Sequence, residues 1–149
     1  SKVEEAIVHA LDFLGETYDC VVLLQPTSPL RTGADIDGAL NLLISSGAVS
    51  CISITENSKP PFWAYRRSQE GKLHKVFDCN SGSRRQDFEL TFMPNGAVYA
   101  AQVDWLRGHG SFMSDHTIGY LMPSERSVDI DSVQDLYVAE AIQVVSGLE

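Results

Sequence analysis

Four consecutive apolar residues, Val21, Val22, Leu23 and Leu24, run directly into a loop stiffened by Pro26 and Pro29. A continuous apolar run of this kind suits a strand buried on both faces, as in the parallel sheets of α/β proteins. Proline has no N–H to give to a sheet ladder, so the strand must end at Gln25. In open α/β sheets, ligands bind just beyond the carboxyl ends of strands. That rule puts the hydrogen-bonding side chains of Gln25, Thr27, Ser28 and Arg31 where a ligand is expected. The plainer reading of the same loop is a helix-initiating connector, and Thr32-Gly33-Ala34-Asp35 has the form of a capping box.

Helical and strand periodicities alternate around this point. Residues 2–14 carry Val3, Ile7, Ala10, Leu11 and Leu14 at helical spacing, and Gly15 stops the helix. After the strand at 20–24, a helix runs from about Ala34 to Ser46, with Ile36, Ala39, Leu40, Leu43 and Ile44 as its buried stripe and Gly47 as its stop. Ala48–Ile54 reads as a second strand. Further on, Gly96–Ala101 is a strand, Val103–Arg107 a short helix and Thr117–Met122 a strand. The last helix starts at Ser132 with a second capping box, Ser132…Asp135. It is expected to bury Val133, Leu136, Ala139 and Ile142 and to end at Gly147. This alternation predicts an α/β fold whose mainly parallel sheet is covered by helices.

The pattern breaks at Thr55. Residues 57–90 are polar and irregular, with Pro60-Pro61-Phe62-Trp63 and a hairpin pairing Trp63–Arg67 with Leu73–Phe77. Residues 1–149 are therefore read as one domain carrying an inserted arm at about 56–92. Exposed Phe62, Trp63 and Tyr65 would fit an interface, or could pack down on their own domain.

Composition narrows the function. A domain of 149 residues can bury roughly 70% of its unfolded surface around one core. No apolar run approaches the ~20 residues that span a bilayer, so no membrane role is expected. The net charge of −9 argues against a nucleic-acid surface. The basic residues Arg66, Arg67, Arg84 and Arg85 nevertheless sit in the middle third, which is consistent with capture of a small anion or with plain solvated loops. Cys20, Cys51 and Cys79 lack CxxC spacing and support neither a disulfide framework nor a zinc site. A reducing, cytoplasmic setting is the expectation that follows.

Asp129-Ile130-Asp131 is the sharpest chemical feature. In extended backbone, residues i and i+2 point to one face, so both carboxylates can converge. Converging carboxylates repel unless a cation lies between them. A small set of hard oxygen ligands, with room for water and phosphate oxygens, describes a Mg²⁺ site. The alternative is that Asp131 helps Ser132 cap the last helix. Asp135 complements the dipole of that helix and reads as a cap first. Arg84 and Arg85 precede Gln86, and a guanidinium fork suits a carboxylate or a phosphate. Asn95-Gly96 opens a strand where glycine permits close backbone approach and the Asn amide could reach a sugar, although turn formation alone would also explain the pair.

Residues 24–31, LQPTSPLR, resemble the acylneuraminate cytidylyltransferases, or CMP-sialic acid synthetases. Residues 1–14, 83–100 (SRRQDFELTFMPNGAVYA) and 127–141 (SVDIDSVQDLYVAEA) look like further segments of that family in the same order. The resemblance implies a three-layer α/β sandwich of the nucleotide-diphospho-sugar transferase type. The implied activity joins CTP to a nine-carbon 2-keto sugar acid, giving a CMP-sugar and pyrophosphate. It also implies Mg²⁺ on Asp129 and Asp131, Arg85 at the sugar carboxylate with Arg84 and Gln86 beside it, and Gln25 at the acceptor sugar. Ser28 and Arg31 would support the loop's shape while lying in the substrate site, and Thr27, Asn95 and Gly96 would lie on the substrate side. A homodimer built through the inserted arm is implied as well.

Two departures stand out. Some members place a lysine two residues after the proline of the arm, where this chain has Phe62. The family's opening strand and Gly/Ser/Arg/Lys loop, which cradles the triphosphate, has no counterpart here; Ser81-Gly82-Ser83 and Gly108-His109-Gly110 lack the strand-then-helix context. The chain is accordingly expected to be a C-terminal portion of a longer enzyme. Two competing readings are a non-catalytic sugar-acid binding or dimerisation module, and a cytidylyltransferase for an eight-carbon keto-sugar acid. LQPTSPLR argues against the second.

Overall fold

The computed structural model describes residues 2–77 and 89–147. In chain order the regular elements are α1 (Lys2–Leu14), β1 (Cys20–Leu23), α2 (Gly33–Ser46), β2 (Ser50–Glu56), β3 (Tyr65–Arg67), β4 (Leu73–Lys75), β5 (Phe92–Gln102), α3 (Val103–His109), β6 (Thr117–Leu121) and α4 (Val133–Ser146). Contacts divide the chain into two compact units, one formed by the residues up to Thr55 with those from Pro94, the other by Glu56–Met93.

A four-stranded sheet has the order β1-β5-β2-β6. β2 and β6 pair in parallel, from Ser50 opposite Thr117 to Ile54 opposite Leu121. β1 and β5 pair antiparallel, with Cys20 opposite Gln102 and Leu23 opposite Tyr99. Gln102 N–H donates to Val49 O (3.0 Å) and Val98 N–H to Ser53 Oγ (2.7 Å), so β5 also runs against β2. The sheet is therefore mixed, which corrects the expectation of a mainly parallel one. The alternation of helix and strand that enforces parallel crossovers lapses before β5, leaving its direction free.

β1 also departs from expectation. It stops at Leu23, and all four of its residues are half-buried, because it is the edge of the described sheet. Its side chains alternate between two apolar clusters. Cys20 and Val22 pack with Ala39, Leu43, Cys51, Ala97, Val98, Ala100 and Met122. Val21 and Leu23 pack with Ile52, Ala101, Leu106 and Phe112, against which Ile7 and Val8 of α1 also lie. Period-two alternation thus gives each sheet face its own core, α2 serving one and α1 with α3 the other. Cys20 and Cys51 are free, and burial pushes the Cys51 thiol up to about 11.

Both expected capping boxes are present. Thr32 and Asp35 start α2, Ser132 and Asp135 start α4, and Gly47 and Gly147 end these helices in the left-handed region. The apolar stripes are wider than the faces that pack. On α2, Asp35, Ala39 and Leu43 are buried whereas Ile44 is 69% exposed. On α4 only Ala139 is buried, Ile142 is half-buried, and Val133 and Leu136 are exposed. Those three stripe assignments (Ile44, Val133 and Leu136) fail because periodicity marks an apolar face without saying how much of it meets a neighbour.

In the second unit, β3 and β4 form the expected hairpin, in the register Tyr65–Lys75, Arg66–His74 and Arg67–Leu73. Ser68 N–H donates to Lys72 O (2.9 Å), and Gly71 takes the positive φ of +86° that the turn requires. Trp63 belongs to a short 3₁₀ turn, Pro61–Trp63, rather than to the strand. Phe62 meets Phe77 edge-on at 5.9 Å, while Trp63 and Tyr65 stay exposed.

One polar contact stands out in the first unit. The Asp35 carboxylate is buried and accepts from Arg126 Nη2 (2.7 Å) and Nε (3.0 Å) and from Thr32 N–H and Oγ1 (both 2.8 Å). Burial alone would raise its pKa, but the hydrogen bonds from Arg126 and Thr32 with the guanidinium charge outweigh it and hold the carboxyl below its usual value. A depressed carboxyl stabilises the fold above the unfolded pKa of about 3.9 and ceases to do so as pH falls through the native value. Asp35→Asn is expected to lower stability at pH 7 by roughly 2–3 kcal/mol, since it strands a guanidinium that is only partly exposed. The deficit should shrink below about pH 4. Urea denaturation of both proteins at pH 7 and pH 3 measures this; an equal deficit at the two pH values would contradict it.

Candidate active site

The loop after β1 is built around one arginine. Arg31 Nη1 donates to Gln25 O (2.6 Å), Ser28 O (2.9 Å) and Ala97 O (3.4 Å), tying the loop to itself and to β5. Proline at 26 and 29 removes donors from this stretch, so its carbonyls need outside partners. Ser28 is buried; its N–H closes a turn onto Gln25 O (3.3 Å) and its Oγ donates to Asn95 O (3.1 Å). Thr27 O accepts from Ile130 N–H at 2.8 Å. That bond joins two stretches that the sequence singled out separately, the proline loop and Asp129-Ile130-Asp131.

Gly96 lies where they meet. Its φ is +76°, and a Cβ there would stand 2.6 Å from Gln25 Oε1, 3.0 Å from Ser28 Oγ and 3.7 Å from Asp129 Oδ2. Gln25, Ser28 and Asp129 therefore crowd one glycine, whose missing side chain is what makes room for them. Tyr99, two positions along the same strand face from Ala97, has its hydroxyl pKa raised by burial and then by the Asp129 charge. It packs edge-on against Phe112 at 5.8 Å. Tyr99 and Gln25 share a cleft of about 180 Å³ with Glu4, Leu23, Ser111 and Phe112. Two larger clefts, of about 330 and 340 Å³, contain none of the motif residues.

Asn95 turns inward. Its Oδ1 accepts from Ser53 Oγ (2.5 Å) and Ala97 N–H (3.2 Å), and its Nδ2 donates to Ser127 Oγ (2.9 Å) and Met122 Sδ (3.4 Å). At 5% exposure, with both amide ends engaged, it braces the base of the site. Gly96 lies within β5 rather than opening it.

Asp129 and Asp131 are both exposed. The capping alternative for Asp131 is answered by geometry: Ser132 and Asp135 cap α4 between them, and Asp131 contributes its backbone N–H to Asp135 Oδ2 (3.2 Å). The Ser132 hydroxyl, with the backbone N–H groups of Ser132 and Asp131, holds the Asp135 carboxyl below its usual value against the opposing effect of burial. The Asp131 carboxylate is thus left out of the cap. Among the described residues no three His, Cys, Asp or Glu side chains gather as a metal-holding group. A carboxylate pair reachable by solvent does match what Mg²⁺ takes from proteins, one or two carboxylates with water and phosphate oxygens completing the shell. Arg84, Arg85 and Gln86 lie outside the described residues.

Sequence reasoning missed Tyr99, Ser53, Ser127 and the Asp35–Arg126 pair. Ser53 carried a usable signal, a polar residue set between Ile52 and Ile54 in a strand. Arg126 carried only its position beside Ser127-Val128-Asp129.

No family model matches the chain. Among curated proteins it is 33% identical over 126 residues to the N-acylneuraminate cytidylyltransferase of Streptococcus agalactiae serotype V, covering 83% of this chain and 30% of that protein. It is 29% identical over 139 residues to the N-acylneuraminate cytidylyltransferase of Escherichia coli O18:K1:H7, covering 93% of this chain and 33% of that one. With the CMP-N,N'-diacetyllegionaminic acid synthase of Legionella pneumophila it shares 30% identity over 132 residues, 84% of this chain and 54% of the relative. The chain is homologous to part of the N-acylneuraminate cytidylyltransferases. It spans about a third of the length of the first curated relatives it matches. Among the described residues no helix is long and apolar enough to cross a membrane.

Gly96→Ala tests the crowding at the centre of this site. The new methyl would meet Gln25 and Ser28 at a positive φ, so stability should fall by about 1–3 kcal/mol. A crystal structure should show the Gln25 side chain displaced from residue 96. An unchanged urea midpoint together with an undisturbed Gln25 would contradict the geometry.

Proposed function

We propose that the full protein carrying this chain is a nucleotidyltransferase that joins CTP to a nine-carbon 2-keto sugar acid, forming a CMP-sugar and pyrophosphate. The observation that carries this reading is the Thr27–Ile130 hydrogen bond, which sets the proline loop and the Asp129/Asp131 segment around Gly96. The names of the relatives support the substrate class: two act on N-acylneuraminate, one forms CMP-N,N'-diacetyllegionaminic acid, and one from Campylobacter jejuni is a pseudaminic acid cytidylyltransferase. The alternating cores of the sheet support a three-layer arrangement of the nucleotide-diphospho-sugar transferase type.

In this proposal the anomeric hydroxyl of the sugar acid attacks the α-phosphorus of CTP. A bond forms from that oxygen to phosphorus, the bond from phosphorus to the bridging oxygen breaks, and pyrophosphate leaves. The hydroxyl proton passes to a carboxylate of the Asp129/Asp131 pair. The same pair would hold Mg²⁺, which supplies charge neutralisation for the phosphates. Gln25, aimed over Gly96, would contact the acceptor sugar, with Ser28 and Arg31 fixing its backbone. Arg85, with Arg84 and Gln86 beside it, would bind the sugar carboxylate through its planar fork. Asn95 would hold the floor by bracing Ser53 and Ser127. A cytoplasmic homodimer belongs to the same proposal, supported by the exposed aromatic side chains Trp63 and Tyr65.

Asp131→Asn in the full protein should lower CMP-sugar formation at ordinary Mg²⁺ by at least about 100-fold, as loss of a metal ligand exceeds the loss of its supporting contacts. Product formation from CTP with sialic, legionaminic and pseudaminic acids, followed by chromatography, measures it. Near-normal turnover by the variant would overturn the metal assignment, and no CMP-sugar from any of these acids would overturn the activity.

A further inference from the structure

The Asp35–Arg126 pair, a buried carboxylate with a partly exposed guanidinium, lies beside both segments of the proposed site. Its partners are 91 positions apart. Asp35 belongs to the capping box that immediately follows the proline loop, where Thr32 N–H and Oγ1 hold its Oδ2. Arg126 ends the short 3₁₀ turn Ser124–Arg126, just before the Asp129/Asp131 segment. The guanidinium grips the carboxylate through two nitrogens, at 3.0 and 2.7 Å. Two-point contact of this kind fixes orientation as well as distance.

Downstream of Arg126 the segment is fastened at two more points. Ser127 Oγ accepts from Asn95 Nδ2 (2.9 Å) and donates to Pro123 O (2.8 Å). Ile130 N–H donates to Thr27 O (2.8 Å). Three successive anchors therefore join residues 126–130 to the base of the proline loop and to β5, and the carboxylates of Asp129 and Asp131 are exposed. The segment around them has no helix or strand of its own to hold it. Its placement comes from these three anchors, two made by side chains and one by the backbone.

We infer that Arg126 and Asp35 are positioning residues for the Asp129/Asp131 carboxylate pair, setting its affinity for a divalent cation rather than contacting substrate. This rests on the metal assignment made under the proposed function. Arg126 is tied to α2 and Ile130 to Thr27, so the segment is fixed at one point just after the loop and at one within it. Without the first anchor the segment that carries Asp129 and Asp131 would lose one of its three fixings, and its carboxylates would hold the cation less tightly. Lysine in place of Arg126 would keep the charge and lose the fork, so it isolates orientation from electrostatics.

The test uses the full protein, with Arg126→Lys and Asp35→Asn as variants and Arg107→Ala as control. Arg107 pairs with Asp12 at 2.6 Å on the surface and touches none of the site. Mn²⁺ binding is read by electron paramagnetic resonance in the presence of CTP, alongside the Mg²⁺ dependence of the rate, the KM for each substrate and the circular dichroism of every variant. Both site variants should keep the native spectrum and weaken Mn²⁺ binding by about tenfold, within the range for supporting contacts. High Mg²⁺ should restore much of the rate, the KM for the sugar acid should be unchanged, and the control should bind Mn²⁺ as the parent does. Native-like Arg126→Lys with unaltered Mn²⁺ affinity would overturn the inference alone. A parent protein whose Mn²⁺ binding is indifferent to Asp131→Asn would overturn the metal assignment and the inference with it.

Discussion

One guanidinium, that of Arg31, takes up three backbone carbonyls, two in the proline loop and one on β5. A loop with two prolines cannot satisfy itself, and a buried, unpaired carbonyl is costly. The arginine thus fixes the path of residues 25–31, and everything at the site follows from that path. Ser28 is carried down onto Asn95, Gln25 is laid over Gly96, and Thr27 O is presented to Ile130. Gly96 completes the arrangement by omitting a side chain at a positive φ, where any Cβ would collide with Gln25.

Beneath the loop a second polar layer does similar work. Ser53, Asn95, Ser127 and Met122 form a buried chain of contacts that links β2, β5 and the segment before α4. Buried polar groups are tolerated when each has a partner, and then they specify one geometry rather than many. The reversed strand β5 is central here. It lies between β1 and β2 and brings Asn95, Gly96 and Tyr99 under the proline loop, which none of the three parallel-running strands does.

What was legible in the sequence was local. The proline stop after β1, both capping boxes and the 65–75 hairpin are each specified by neighbouring residues, and each is present. The importance of the two motifs was legible too, but their contact was not, because a single backbone hydrogen bond between Thr27 and Ile130 leaves no trace in composition or spacing. The direction of β5 was not legible for the same reason: strand pairing is settled by distant partners. Periodicity overstated the burial of α4, where the apolar residues are real and the covering surface is not among the described residues. The inward turn of Asn95 was not legible either, because the partners that hold it, Ser53 and Ser127, are both remote in sequence.

The account depends on a divalent cation lying between the loop-facing carboxylate of Asp129 and that of Asp131. Anomalous diffraction from crystals of the full protein grown with CTP and Mn²⁺ locates that ion directly. The account predicts a peak within bonding distance of both carboxylates and of phosphate oxygens, on the side of Gly96 and Gln25. A peak elsewhere, with both aspartates turned to solvent, would contradict it.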